Sequence, residues 1–199
     1  MLEDKTIEWQ GSLRKTYDKY LNPAVLDYNN QKMWEMADNG AISSLFQFDT
    51  VTGGQAIRKI RPKNLTELAI SNSIMRLMCE EGEQPMDIYV KHRLCPQTWY
   101  DEMQEAGLNA DEVKVVEKYL KEKCGVADSQ EVVMQLSMDP KISGFTMKEA
   151  NRLRKTIAKK KFKEIEKVRE LYYQKGLSLG NRKEILDYIW NAQFKLSFG

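Results

Sequence analysis

Apolar residues recur at intervals of three and four along most of this 199-residue chain, and this spacing predicts a mostly α-helical protein. Near the start, Met33, Trp34 and Ala37 have the spacing of a short amphipathic helix, which Gly40 can end. The next stretch, AISSLFQF, alternates weakly and is rich in β-prone residues. We therefore expect at most a short strand or hairpin near residues 42–50.

Glycine, proline and capping residues divide the rest of the chain. Gly53 and Gly54 are expected to break the chain before a short helix, QAIRKI, which Pro62 ends. Apolar periodicity predicts helices within 66–79, 98–107, 109–125 and 129–138. The first of these should turn five side chains inward: Leu68, Ile70, Ile74, Met75 and Met78. Thr98 and Asn109 are the expected N-caps of the second and third.

Two further helix starts carry a capping signal, a hydroxyl or amide residue followed three positions later by Glu. The first is Thr146 with Glu149, in TMKE, and the second is Asn181 with Glu184, in NRKE. After Thr146, the apolar phase changes at Phe162. We therefore expect a helix, a basic turn near residues 160–162 and a second helix.

Positive charge is concentrated on this predicted helix pair. Residues 151–169 contain nine cationic side chains and only two carboxylates, so the segment carries +7 while the whole chain carries +2. The cationic residues are Arg152, Arg154, Lys155, Lys159, Lys160, Lys161, Lys163, Lys167 and Arg169. Because Leu153 and Ile157 should face the core, Arg154, Lys155 and Lys159 are expected to point outward. No acidic residue relieves the charge between Arg152 and Lys163, which favours phosphate binding over a merely solvated lysine surface.

Composition excludes several other classes of protein. The chain has no run of 18 apolar residues and no basic-then-apolar leader, so we expect no membrane partner and a location inside the cell. Three widely spaced cysteines are typical of free thiols in a reducing compartment. The sequence also lacks the glycine-rich phosphate-binding loops and the D-x-D pair of a simple two-metal site.

Other candidate sites are weaker. His92 and Cys95 have H-x-x-C spacing, but a zinc site needs two more ligands and a Cys–His nucleophile needs an orienting partner. A structural histidine and ordinary thiols explain these residues equally well. Asp49 could bind a metal ion or cap the turn before Gly53. We expect no metal ion to be bound by this chain and assign no catalytic residue to it.

Five blocks of the sequence resemble, in the same order, the bacterial C-family replicative DNA polymerases, the DNA polymerase III alpha subunits. SQEVVM is similar to their Y-Q-E-Q-V-M, SGFT to S-G-Y-T, and ANRLRKTIAKKK to A-D-x-L-R-R-A-M-G-K-K-K. Upstream, LFQFDT and the segment from Arg76 through MDIYVKHR resemble earlier blocks of the family. The segments LRKTYDKY and YIWNAQF look most like the divergent phage versions. Lys155 replaces the second arginine of the R-R pair and Ala158 replaces the following glycine.

In that family these blocks form the fingers, a helical region over the incoming nucleotide and the template–primer DNA. The resemblance therefore implies an irregular, mostly α-helical fingers module over residues 1–199, with a subdivision into 1–93 and 94–199 as the alternative. The family's metal-binding aspartates belong to palm motifs that this chain does not contain. We therefore expect a fragment of a polymerase, cytoplasmic in a bacterial or phage-infected cell, without polymerase activity as an isolated chain.

The resemblance also assigns roles to residues. Arg154, Lys155 and Lys159 would bind the triphosphate of the incoming dNTP, while Arg152, Lys160, Lys161 and Lys163 would bind the DNA backbone or the triphosphate. Gln130, Glu131 and Arg76 would support them. The expected partners are template–primer DNA, dNTP and the remaining polymerase, palm and thumb, with Mg²⁺ implied only for the complete enzyme. The alternatives are a stand-alone helical nucleic-acid-binding or adaptor protein without catalysis, and a structural helical domain.

Overall fold

The structure is a computed structural model that describes residues 7–79, 82–158, 162–194 and 197–198. The chain divides into two compact units, Met1–Ser71 and Asn72–Gly199. The boundary differs from the predicted subdivision after residue 93, which would fall at the end of a helix, Pro85–Leu94.

The prediction of a mostly α-helical fold is confirmed. The first unit contains α1 (Leu13–Tyr20), α2 (Gln31–Asp38), α3 (Val51–Ile60) and the start of α4 (Leu65–Ile74). The second contains α5 (Pro85–Leu94), α6 (Pro96–Glu105), α7 (Ala110–Leu120), α8 (Gln130–Met138), α9 (Met147–Ala158), α10 (Phe162–Ser178) and α11 (Lys183–Ile189). Short 3₁₀ turns occupy Pro23–Val25 and Lys121–Lys123, and a π-helical turn, Trp190–Phe194, extends α11.

Residues 42–50 do not form a strand or hairpin, so the interpretation of this stretch as a strand candidate is wrong. Leu45 donates its backbone N–H to Ile42 and Phe48 donates to Leu45, at 2.9 and 3.0 Å, so this stretch forms successive turns. The apolar residues of these turns, Ile42, Leu45 and Phe48, are three apart and do not alternate as in a strand. Phe48 is buried, whereas Phe46 is exposed. The described strands lie elsewhere: β1 (Leu77–Met78) pairs antiparallel with β2 (Ser197–Phe198).

Gly53 and Gly54 do not break the chain, because both lie inside α3 and are buried. Thr50 is the N-cap of this helix and accepts a hydrogen bond from the Gly53 amide at 3.0 Å. A Cβ atom at residue 53 would lie 2.4 Å from the Phe48 Cα. The glycine therefore allows the preceding turn to pack directly against the helix.

Several local predictions are confirmed. Asn109 and Glu112 form a complete capping box at the start of α7. Thr146 and Glu149 form another before α9, since the Thr146 amide donates to the Glu149 carboxylate at 2.7 Å. Helix α9 spans Met147–Ala158 and α10 spans Phe162–Ser178, and the predicted basic turn between them lies in residues that the structure does not describe, so it stays a prediction.

Other local predictions are wrong. Helix α4 ends at Ile74, so Met78 lies in β1 and is 63% exposed instead of facing inward. The N-cap of α6 is Cys95, not Thr98, because Pro96 occupies the first turn. Asn181 does not cap α11, since its side-chain amide donates to the carbonyls of Pro140 and Ile142 at 2.8 and 2.7 Å.

The hydrophobic core of the second unit positions α8 and α9. These two helices pack closely together, and α9 also packs against α10. Leu136 of α8 and Leu153 of α9 are fully buried in one hydrophobic cluster, which also contains Tyr172. Because this core fixes the apolar sides of α8 and α9, the polar sides of the two helices also keep a fixed position relative to each other.

Candidate phosphate-binding site

Helix α9 carries three of the predicted cationic residues within its described range, Arg152, Arg154 and Lys155. Leu153 and Ile157 are buried, as predicted, whereas Arg152 and Lys155 are exposed. Arg154 is half-buried because its side chain lies along the junction of α9 with α8. Among the described residues, no carboxylate forms an ion pair with any of these three cations.

The Arg154 guanidinium is held by two neutral side chains. Its Nη1 donates to Gln130 Oε1 at 2.8 Å, which joins α9 to the first residue of α8. Its Nε and Nη2 both donate to Asn151 Oδ1, at 3.1 and 2.9 Å. The structure thus brings Arg154 together with Gln130, to which the resemblance assigns a supporting role.

The start of α8 lies beside a small cavity. Ser129 caps the helix, and its hydroxyl accepts a hydrogen bond from the Val132 amide at 3.4 Å. The cavity is about 190 Å³ and is lined by Ser73, Arg76, Leu77, Asp128, Ser129, Gln130 and Glu131. All three supporting residues, Arg76, Gln130 and Glu131, therefore lie around one space. Asp128 is paired there with Lys123 at 2.7 Å.

The helix start of α9 is anchored by an ion pair. Lys175 of α10 lies 2.7 Å from the Glu149 carboxylate, which also accepts hydrogen bonds from Thr146. Partial burial raises the pKa of Glu149, but the hydrogen bonds from Lys175 and Thr146 outweigh it and hold the pKa below its ordinary value. Glu149 is therefore committed to the capping box and Lys175.

Part of the predicted basic surface lies outside the described residues. Lys159, Lys160 and Lys161 are in this group, and so is the side chain of Lys163. Their assignment to triphosphate or DNA backbone stays a prediction. The described part of the site therefore consists of Arg152, Arg154 and Lys155 of α9, with Gln130, Glu131 and Arg76.

Asn151 is the residue that sequence reasoning missed. It precedes Arg154 by three positions on a helix, a spacing at which two side chains meet. That spacing was a usable signal. The Gln130 contact, 24 positions away in sequence, could be suspected only because both residues belong to blocks of the same resemblance.

His92 is a buried structural residue in this chain. Its Nδ1 lies 2.9 Å from the Cys124 carbonyl oxygen, and its Nε2 lies 3.0 Å from Glu102 Oε2. Its ring also stacks on Trp99, with centroids 6.4 Å apart. Both ring nitrogens are thus engaged, while Cys95 is exposed at the N-cap of α6. This geometry supports the structural interpretation of His92 over zinc or nucleophile chemistry.

A second cavity lies apart from the basic surface. A larger groove of about 510 Å³ near the start of α7 contains Glu112, Lys141 and Arg182 but none of the predicted site residues.

In the ranges that the structure describes, no three His, Cys, Asp or Glu side chains are grouped to hold a metal ion. Within the same ranges, no helix is long and apolar enough to cross a membrane.

Comparison with known proteins supplies the family. A family model for the bacterial DNA polymerase III alpha subunit finger domain matches residues 6–180. The probable DNA polymerase YorL of Bacillus subtilis is 51% identical over 199 residues, which cover 100% of this chain and 15% of that protein. The DNA-directed DNA polymerase of Bacillus phage SPbeta matches with the same identity and coverage.

More distant relatives agree with this assignment. The DNA polymerase III subunit alpha of Thermotoga maritima is 25% identical over 189 residues, which cover 93% of this chain and 20% of that protein. The chain thus spans only 15% of the length of its more similar relatives. Since the family model matches most of the chain, and the fold is helical as expected for fingers, the chain belongs to the bacterial DNA polymerase III alpha subunit finger domain family.

Proposed function

We propose that this chain serves as the fingers region of a DNA polymerase, and that the exposed face of α9 binds phosphate groups. The phosphates are those of an incoming dNTP and of the template–primer backbone. The observation that carries the proposal is Arg154, which α8 and α9 fix in place through Gln130 and Asn151. Arg152 and Lys155 are exposed on either side of it in sequence.

The chemistry of this face is suited to binding and orienting phosphates. Cationic side chains that are positioned before substrate arrives lower the cost of bringing a charged triphosphate into line. Arg154 supplies a planar set of N–H donors, whereas Lys155 supplies a compact point charge. The proposed partners are template–primer DNA, dNTP and the palm and thumb of a polymerase, in the cytoplasm of a bacterial or phage-infected cell.

The proposal is tested by binding of fluorescent primer–template DNA, measured by anisotropy over a salt series with and without dNTP. The variant Arg152→Ala/Arg154→Ala/Lys155→Ala removes the described face. We expect weaker binding and a log–log salt slope that is shallower by about 0.9 for each lost phosphate contact. Tighter binding of wild type with the matching dNTP is the further result expected of a fingers region.

A charge-matched variant provides the control. Lys114→Ala/Lys121→Ala/Lys183→Ala removes three exposed lysines from other elements and changes net charge equally. It should retain most of the affinity. If both triple variants weaken binding equally, the α9 face has no special role. If DNA binds but dNTP has no effect, the chain fits the alternative of a nucleic-acid-binding protein without a nucleotide site.

A further inference from the structure

We propose that the end of α3 is a second DNA-binding surface, which holds a sugar–phosphate backbone in addition to the phosphates bound by the α9 face. This inference rests on the proposed function in one respect, namely that DNA is a partner of the chain. The surface is formed by four cations within six residues: Arg58, Lys59, Arg61 and Lys63. All four are exposed and the segment contains no carboxylate, so it carries +4 where the whole chain carries +2.

The apolar residues of this segment are turned away from solvent. Ile60 is fully buried, and Pro62 is buried as well. The segment therefore presents charge, and not apolar area, at the surface. A protein partner is ordinarily bound through an apolar centre, whereas a nucleic-acid backbone is bound through Lys and Arg with release of counterions. The exposed composition of the segment fits DNA better than a protein.

The backbone of Arg61 indicates that its side chain has a use. Arg61 ends α3 in the left-handed region, with φ 50° and ψ 64°. Glycine is the residue favoured there, and the following Pro62 restricts Arg61 further. Attraction to the carbonyls at the helix end explains Arg58 and Lys59 in the last turn. It does not explain residue 61, where glycine would end the helix without strain. A strained arginine at this position points to a function of the guanidinium.

Two of the four cations have their charge available to a ligand. Among the described residues, none accepts a hydrogen bond from, or forms an ion pair with, the guanidinium of Arg58 or Arg61. The Arg58 Nη2 atom lies 3.4 Å from the position that a Cβ on Gly54 would take, so the missing side chain leaves room for this guanidinium. Lys63, by contrast, is paired with Asp38 at 2.7 Å. Arg58 and Arg61 are therefore the residues to test.

The test is Arg61→Gly in the full 199-residue chain, compared with wild type by primer–template anisotropy over a salt series. Because glycine relieves the left-handed strain, we expect this variant to melt at or above the wild-type temperature. Its salt slope should be shallower by about 0.9, which corresponds to about eightfold weaker binding at about 0.1 M salt relative to 1 M. Arg61→Lys keeps the charge and should keep the wild-type slope. A merely structural role for Arg61 predicts a change in melting temperature without a change in DNA binding.

Matched variants separate charge at this surface from strain and from net charge. Gln47→Gly relieves a left-handed residue of the same unit, at φ 66°, without changing charge, and should bind DNA like wild type. Arg58→Ala/Arg61→Gly should lower the slope by about 1.8, as expected for two phosphate contacts. Lys114→Ala/Lys121→Ala removes the same charge from exposed lysines elsewhere and should keep the wild-type slope.

The outcomes distinguish this surface from the α9 face. If both Arg61→Gly variants bind like wild type while the triple variant of the α9 face is weakened, the α3 surface is overturned and the proposed function stands. An equal loss in Lys114→Ala/Lys121→Ala also overturns the α3 surface, because net charge alone then explains the effect. If Arg61→Gly is weakened but the triple variant binds like wild type, the α3 surface stands and the phosphate-binding role of α9 fails.

Discussion

The side-chain oxygen of Gln193 accepts a hydrogen bond from the Ala127 backbone amide at 2.7 Å. The same side chain donates its amide group to the Gly125 carbonyl at 2.8 Å, and Gln193 is buried. Gln193, which lies in the π-helical turn, therefore pairs with the Ala127 N–H and the Gly125 C=O of the segment that leads into Ser129 and α8. The position of Gln130 depends on this segment. Gln130 is one of the two side chains that hold the Arg154 guanidinium in place.

We expect Gln193→Leu to lower the free energy of unfolding by about 2–4 kcal/mol, because two buried backbone groups lose their partners. Urea denaturation followed by circular dichroism measures the change. Gln174→Leu, on an exposed position of α10, is the matched control and should differ little from wild type. Equal stability of both variants would show that solvent or another side chain satisfies the 125–127 backbone.

Gly53 and Gly54 offer a second contrast within one helix. A Cβ at residue 53 would lie 2.4 Å from the Phe48 Cα and 2.6 Å from the Gln47 carbonyl oxygen, both backbone atoms. A Cβ at residue 54 would meet only side-chain atoms, with Ile42 Cδ1 nearest at 3.2 Å. We expect Gly53→Ala to destabilise the chain by about 1–3 kcal/mol through overpacking.

Gly54→Ala should instead be neutral or stabilising by up to about 1 kcal/mol, because alanine favours a helix interior and the neighbouring side chains can move. Urea denaturation followed by tryptophan fluorescence compares the two variants, since Trp34 is buried on α2, which packs against α3. Equal effects of the two substitutions would contradict the close approach of the 47–48 turn to α3.

Asp139 gives a pH-dependent prediction. Its carboxylate accepts hydrogen bonds from the Lys141 amide at 2.8 Å, the Tyr119 hydroxyl at 2.7 Å and Lys118 at 3.1 Å. Burial raises the pKa of Asp139, but these three donors outweigh it and hold the pKa below the ordinary value of 3.8. A lowered pKa means that Asp139 stabilises the fold above pH 3.8, and that this contribution is lost as pH falls through the folded-state pKa.

We therefore expect Asp139→Asn to be less stable than wild type by about 1–3 kcal/mol at pH 7. The substitution replaces one carboxylate oxygen, a hydrogen-bond acceptor, by an NH₂ group that faces the donors of its neighbours. The difference should shrink below pH 3.8 and vanish once Asp139 is protonated in the folded wild type. Thermal melts between pH 2 and 7 measure both trends. Asp101→Asn, at an exposed carboxylate of α6, is the control and should differ little at any pH. A difference that persists at the lowest pH would mean that Asp139 acts through packing and not through its charge.

The parts of the fold that sequence predicted correctly are those with local hydrogen bonds. Asn109 with Glu112, and Thr146 with Glu149, complete their capping boxes within four residues. The same spacing at Asn181 and Glu184 forms no cap, because Asn181 donates to the carbonyls of Pro140 and Ile142 instead. Likewise, the burial of Leu153 beside exposed Lys155 follows from helical periodicity once the helix start is known. Helical periodicity therefore specifies that Lys155 points away from the core, whereas the half-burial of Arg154 depends on its contact with α8.

The parts that sequence missed depend on distant or crowded contacts. The prediction of a chain break at Gly53 and Gly54 is wrong because Gly53 allows the Phe48 turn to pack against α3, and glycine alone does not distinguish close packing from a chain break. The cap of that helix is Thr50, so the exposed Asp49 does not have the capping role considered for it. The hydrogen bond between Arg154 and Gln130 joins two different helices. No spacing rule predicts a contact between residues so far apart in sequence.

Lys155 provides a final test of the proposed site, because it stands where the resemblance to polymerase III alpha subunits has arginine. Lys155 is exposed on α9, so Lys155→Arg should leave the melting temperature unchanged. If Lys155 faces a phosphate, the planar guanidinium can make two hydrogen bonds where the ammonium acts as a point charge. We then expect primer–template DNA to bind about two- to tenfold more tightly, with a salt slope close to that of wild type because the number of charges is the same.

Lys183→Arg, on α11 and away from the basic face, is the matched control and should not alter DNA binding. Anisotropy at several salt concentrations separates the two effects, since a gain from hydrogen bonding persists at high salt whereas a gain from charge is screened. Unchanged affinity in Lys155→Arg, together with a loss in Lys155→Ala, would show that Lys155 contributes charge without a directed contact. Unchanged affinity in both would exclude Lys155 from the phosphate-binding face and confine that face to Arg152, Arg154 and the lysines that follow Ala158.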